Sequence, residues 1–242
     1  MKVISTETRK VQTDCGEIVF TFERKSIKNI NLRIRHNGNI YVSAPDIVSS
    51  TVVDSFVKSK CGYIQNALDS FQKNDVPKSE MQYVSGENVT FLGKNMRINI
   101  VKDFQEYVNS DGIYVYIHVK RPDYYNRKKN LLNNWLNEQC NIVFTGIIKE
   151  IYQKFIAYGV NYPQLKLRNM TSRWGSCLPN KGIITLNKRL IEAPKSCIEY
   201  VVYHEFCHFI HPNHSKQFYT LLQIMLPYWK DSKQLLEQSI TL

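Results

Sequence analysis

The chain has no apolar run of membrane-spanning length, so no segment is expected to cross a bilayer as a helix. Residues 1–22 lack the apolar core of a secretory signal, and the expected compartment is the cytoplasm. The six cysteines, Cys15, Cys61, Cys140, Cys177, Cys197 and Cys207, include no Cys-x-x-Cys pair. Scattered thiols of this kind suit a reducing compartment and argue against a disulfide framework. No internal repeat or low-complexity stretch is present, so a repeat array is not expected. Acidic residues are few beside basic ones, with 21 Asp plus Glu against 32 Lys plus Arg, a net charge of +11.

A length of 242 residues and a hydrophobic fraction of 43% support one large domain or two smaller ones with a real core. Basic residues gather at Arg24-Lys25, Lys28, Arg33-Ile34-Arg35 and Arg127-Lys128-Lys129. Arg33 and Arg35 fall on one face of a strand-like segment, where they could meet phosphates by non-specific electrostatics. The plainer alternative is a solubilising surface.

Periodicity predicts two halves. Strands are expected over 17–23, 29–35 and 39–43, with His36-Asn37-Gly38 as the hairpin turn between the last two. A helix is expected over 47–71, then strands over 83–92, 96–101 and 113–119. Residues 120–129 read as a polar connection, followed by a long helix over 130–158. Short strands are expected over 165–170, 172–177 and 183–187, the last two joined by a turn at Pro179-Asn180-Lys181-Gly182. A helix bearing histidines comes next, then one over 215–226, and a short terminal helix after Pro227.

The chemistry concentrates at His204-Glu205-Phe206-Cys207-His208-Phe209-Ile210-His211-Pro212-Asn213-His214, which holds four of the six histidines. On a helix, His204 and His208 point from one face and can grip a single zinc ion. Glu205 stands beside them to take a proton from water. Ser196 to Glu199 fits a capping box at the helix start. Ile198, Val202, Phe206 and Phe209 form an apolar stripe roughly opposite the histidines. Pro212 should end the helix near His211, and a left-handed Asn213 would help the chain turn back. That turn brings His214 toward the metal as the expected third ligand, with His211 or a downstream carboxylate, Asp231 or Glu237, as the alternatives. The spacing is metzincin-like, but His211 stands where that class has glycine and no Met-turn follows.

Three protein ligands and one open position describe a catalytic zinc site, one ion per chain. The strand before the histidine helix offers a sheet edge to which an extended peptide could add. Glu205 would then act as general base, and Tyr219 or Arg173 would steady the developing oxyanion.

Two segments resemble a known family. Val201 to His208, followed by His211-Pro212-Asn213-His214-Ser215-Lys216 and Phe218-Tyr219, is similar to the YgjP-like metallopeptidases. So is Arg173-Trp174-Gly175-Ser176-Cys177 with Gly182, Ile184, Leu186-Asn187, Leu190 and Pro194. The N-terminal half agrees through Gly38 to Pro45, Gly86 and Leu92-Gly93. The resemblance implies an α+β fold, with a zincin-like metallopeptidase domain preceded by a β-rich region. The expected boundary gives 1–120 for the β-rich region and 121–242 for the catalytic domain. The family is similar to the SprT and WLM groups, which implies a peptide or protein substrate. Relatives in those groups cut proteins bound to DNA, which the positive charge would suit. A nucleoside-triphosphate pyrophosphohydrolase and a nucleic-acid-binding module with a structural metal are the alternatives.

Overall fold

The computed structural model describes residues 3–35, 37–74 and 81–240. It is a mixed α+β structure whose contacts separate Met1–Glu80 from Met81–Leu242.

In the first unit, β1 (Val3–Thr13), β2 (Gly16–Lys25), β3 (Asn31–Ile34) and β4 (Ile40–Ala44) form a sheet in the order β1-β2-β4-β3. Alternation sets its faces: Ile18, Phe20 and Phe22 of β2 and Ile40, Val42 and Ala44 of β4 are buried. Two helices cover that face, α1 (Ser50–Ser59) and α2 (Cys61–Asn74). They replace the single helix expected over 47–71. The Ser49 side chain accepts from Val52 N to cap α1, and Val53 and Val57 enter the core one turn apart. Lys60 breaks the run as the α1 C-cap. His36, in the expected hairpin turn, lies outside the described residues, while Gly38 beside it is left-handed at φ +79°.

The second unit opens with β5 (Asn88–Phe91), β6 (Lys94–Lys102), β7 (Tyr107–Ser110) and β8 (Tyr114–Val119), ordered β5-β6-β8-β7. Met96, Ile98, Val115 and Ile117 from this sheet share a core with Leu132 of the long helix α3 (Tyr125–Phe155). This packing joins the sheet over 88–119 to the unit that begins at Met81. It also starts the helix at Tyr125, inside the stretch expected to be a polar connection.

A second small sheet follows, from β9 (Gln164–Arg168), β10 (Gly175–Leu178) and β11 (Ile183–Asn187), in the order β10-β11-β9. Every residue of β11 is buried, as suits a central strand covered on both faces. Three helices complete the unit: α4 (Lys195–Cys207), α5 (Lys216–Met225) and α6 (Trp229–Ser239). Their core joins Phe144, Phe155, Leu186, Ile198, Phe206, Phe218 and Leu222. Each such buried phenylalanine or leucine contributes roughly 1.5–3 kcal/mol of burial. Among the described residues no helix is long and apolar enough to cross a membrane.

Candidate metal centre

Pro194 is the N-cap of α4, not Ser196. Its carbonyl accepts from Cys197 N at 2.9 Å and Ile198 N at 3.3 Å. Ser196 therefore falls inside the first turn and no capping box forms; Glu199 instead lies 3.5 Å from Lys195. The β5–β6 turn fixes this start. Leu92 N donates to Ile191 O at 2.8 Å and Gly93 N to Glu192 O at 3.0 Å, and Gly93 packs directly on Pro194. The expected single apolar stripe is also too narrow. Cys197, Ile198, Tyr200, Val201, Val202, Tyr203, Glu205, Phe206 and Cys207 are all buried, so α4 is the unit's central helix.

His208 is the C-cap of α4, so the helix ends three residues before the expected His211. It keeps right-handed angles (φ −68°, ψ −18°), which preserves its four-residue relation to His204. Asn213 is not left-handed; instead Ser215 N donates to Asn213 O at 2.8 Å. Ser215 then caps α5 by accepting from Phe218 N at 3.4 Å. The result returns His214 to α4, with its Nε2 2.9 Å from His204 Nε2. One ring nitrogen from each of His204, His208 and His214 lies within 4.8 Å of the others. His208 Nδ1 lies 3.2 Å from His211 O; donating there leaves His208 Nε2 with a free lone pair. His211 thus serves through its carbonyl. Among the described residues neither its ring nor Asp231 nor Glu237 joins the group, and Glu237 pairs with Lys233 at 3.7 Å.

Burial pushes His204 down to about 3, and His208 and His214 beside it act the same way. Burial also lowers His208. Both imidazoles are therefore neutral at physiological pH, the state that donates a lone pair to a cation. His204 Nδ1 is buried without a hydrogen-bond partner among the described residues.

Glu205 is 5% exposed and faces β10. A Cβ placed on Gly175 would stand 2.5 Å from Glu205 Oε1, 2.9 Å from Cγ and 3.0 Å from Cδ. Only glycine leaves room for this carboxylate. Burial pushes Glu205 up to about 8, opposed by the charge of Arg173. Cys177, two residues along the same strand face, is pushed up to about 12 by burial and by the Glu205 charge. The expected edge is not β11, the last strand before the helix, because β11 is central. The edges are β10 and β9, and β10 is the one that meets Glu205.

Tyr219 stacks on His214 with ring centroids 6.1 Å apart and on Trp229 at 5.5 Å. It is 41% exposed, so its hydroxyl can meet a ligand. Arg173 is exposed and acts on Glu205 through its charge. Three imidazole nitrogen donors suit a borderline divalent metal, and the two nitrogens at 2.9 Å have lone pairs for a cation or a shared proton to reconcile. The residues present fit a metal ion.

Residues 28–239 match the family described as YgjP-like, metallopeptidase domain. The chain belongs to the YgjP-like metallopeptidase family. No curated protein matches it. Among solved structures it is similar to the metallopeptidase zymogen jannalysin of Methanocaldococcus jannaschii, at 21% identity, over 39% of this chain and 94% of that one, with a TM-score of 0.34. It is also similar to the metallopeptidase zymogen abylysin of Pyrococcus abyssi, at 14% identity, over 39% of this chain and 90% of that one, with a TM-score of 0.35.

Two residues of this YgjP-like chain gained no site role from sequence. Gly175 was visible only as part of a motif, because its contact with Glu205 is thirty positions away along the chain. Asn187, fully buried, donates to Met170 O at 2.8 Å and Arg173 O at 3.2 Å, and accepts from Arg189 N at 3.2 Å. It holds the loop that delivers Arg173 and Gly175. The basic clusters prove largely engaged. Arg24 donates to the carbonyls of Asp46 and Val48, Lys25 pairs with Glu23, and Arg127 pairs with Glu106. Lys128 is buried, and Arg35 lies over the Tyr41 ring. Arg33 and Arg35 are both exposed, with Arg33 directly opposite Tyr41.

Proposed function

We propose that the chain is a zinc-dependent metallopeptidase. His204, His208 and His214 hold one zinc ion, Glu205 is the general base, and Tyr219 steadies the oxyanion. The convergence of the three imidazoles beside a buried carboxylate is the observation that carries this reading. A bound zinc would polarise the scissile carbonyl and make its water more acidic.

The chain's own groups do the rest. The free edge of β10 pairs with an extended peptide and presents its scissile bond beside Glu205. Glu205 accepts the proton of the attacking water on a carboxylate oxygen and passes it to the leaving nitrogen. Burial raises the affinity of the carboxylate for a proton, which favours the accepting half of that exchange, while the positive charge of Arg173 opposes it and favours release. The Tyr219 hydroxyl donates to the oxygen that gains charge, and stacking on Trp229 fixes its ring. The exposed Arg33 and Arg35 face offers a non-specific contact for nucleic acid near a protein substrate.

Glu205→Gln tests the assignment. The variant should keep stoichiometric zinc and lose peptide and unfolded-protein cleavage by several orders of magnitude. Wild-type protein that carries zinc, cleaves no peptide and releases phosphate products from nucleoside triphosphates would overturn the peptidase reading. Unchanged hydrolysis by Glu205→Gln would overturn the role of the base.

A further inference from the structure

Four aromatic rings meet at the site, not three. The centroids of His204, His208 and His214 are 4.9, 4.8 and 4.8 Å apart. Phe218 lies 4.9 Å from His204, 4.7 Å from His208 and 4.8 Å from His214. Six nearly equal separations describe a tetrahedron of rings, with Phe218 at the fourth corner. Phe218 therefore covers one side of the imidazole triangle. It is fully buried, and its backbone N–H is held by the Ser215 cap immediately after His214.

We propose that Phe218 is a positioning residue that sets the three imidazoles for the metal and closes one side of the site to water. The inference rests on the zinc reading above. Two physical effects follow from the geometry. Imidazole edges and faces packed on a benzene ring have few rotamers open to them, so little ordering remains when a cation arrives. The ring also carries no donor atom, so no fourth protein ligand and no solvent can approach from that side. A substrate would then reach the imidazoles from the side away from Phe218.

Phe218→Leu keeps an apolar group of similar bulk and removes the ring face. Zinc affinity, read by competition with a chromogenic chelator, should fall about 10–100-fold, the range for loss of an orienting contact. The visible absorption of the cobalt-loaded variant should weaken relative to wild type, as extra water enters the coordination sphere. Phe218→Met serves the same purpose if the leucine variant does not fold. Leu222→Ala, one turn further along α5 and equally buried, is the control. It should lower stability and leave zinc affinity unchanged. Zinc affinity of Phe218→Leu within twofold of wild type would overturn the proposal. So would an equal loss in Leu222→Ala, which would make the effect one of general α5 packing. If wild-type protein binds no zinc, the metallopeptidase reading fails first; if it binds zinc and Phe218→Leu matches it, only this inference fails.

Discussion

Gly175→Ala should disable the general base while leaving the metal in place. Gly175 does not have positive φ, so alanine is compatible with its backbone and only the new methyl matters. That methyl would sit 2.5 Å from Glu205 Oε1. An ordinary carbon–oxygen contact is about 3.3 Å or more, so the carboxylate or β10 must yield by roughly 0.8 Å. Overpacking of this kind costs about 1–3 kcal/mol of stability. Displacing a catalytic group by about 1 Å costs about 100-fold in rate, or roughly 2.7 kcal/mol of barrier. The expected result is a kcat about 100-fold below wild type with full zinc content, measured on a quenched-fluorescence peptide. A double-mutant cycle isolates the contact: in a Glu205→Ala background, Gly175→Ala should no longer lower the urea midpoint. Wild-type kcat in Gly175→Ala, or destabilisation that persists in the Glu205→Ala background, would refute the reasoning.

Three more outcomes are expected. Gly93 has φ +77° and a Cβ there would approach Pro194 Cγ at 2.8 Å, so Gly93→Ala should cost about 2–4 kcal/mol in urea unfolding. Asn187→Ala strands several buried backbone groups and should cost about 2–4 kcal/mol, with a parallel loss of kcat as the Arg173–Gly175 loop loosens. The neighbouring Cys61 side chain raises the Cys15 thiol, Cys15 is exposed and Cys61 half-buried, while Cys140, Cys197 and Cys207 are buried. Mild diamide oxidation followed by peptide mapping should therefore give a Cys15–Cys61 disulfide and leave the buried three free; a different first disulfide would contradict the packing of that pair.

The site was legible where it is local. His204 and His208 share a helix, and Pro212 and Ser215 mark where the chain leaves one helix and enters the next, so their spacing carries the geometry. What escaped was non-local. Gly175 and Phe218 act through contacts that no periodicity encodes, and Phe218 reads as an ordinary core residue of an amphipathic helix. In the fold, β1 escaped because all but one of its residues are at least partly exposed, so no apolar alternation marks it. The start of α3 escaped because Arg127, Lys128 and Lys129 look solvated, although Lys128 is buried. The strands over 88–119 look like a continuation of the first sheet, and only their packing on Leu132 joins them to the later helices.

Zinc content by elemental analysis, on unsupplemented wild-type protein and on His214→Ala, decides whether three imidazoles share one ion. Wild type should carry one zinc per chain, and His214→Ala should lose affinity by more than the roughly 10–100-fold that a missing supporting contact costs. Metal-free wild-type protein, or a His214→Ala variant that binds zinc as tightly as wild type, would contradict the assignment.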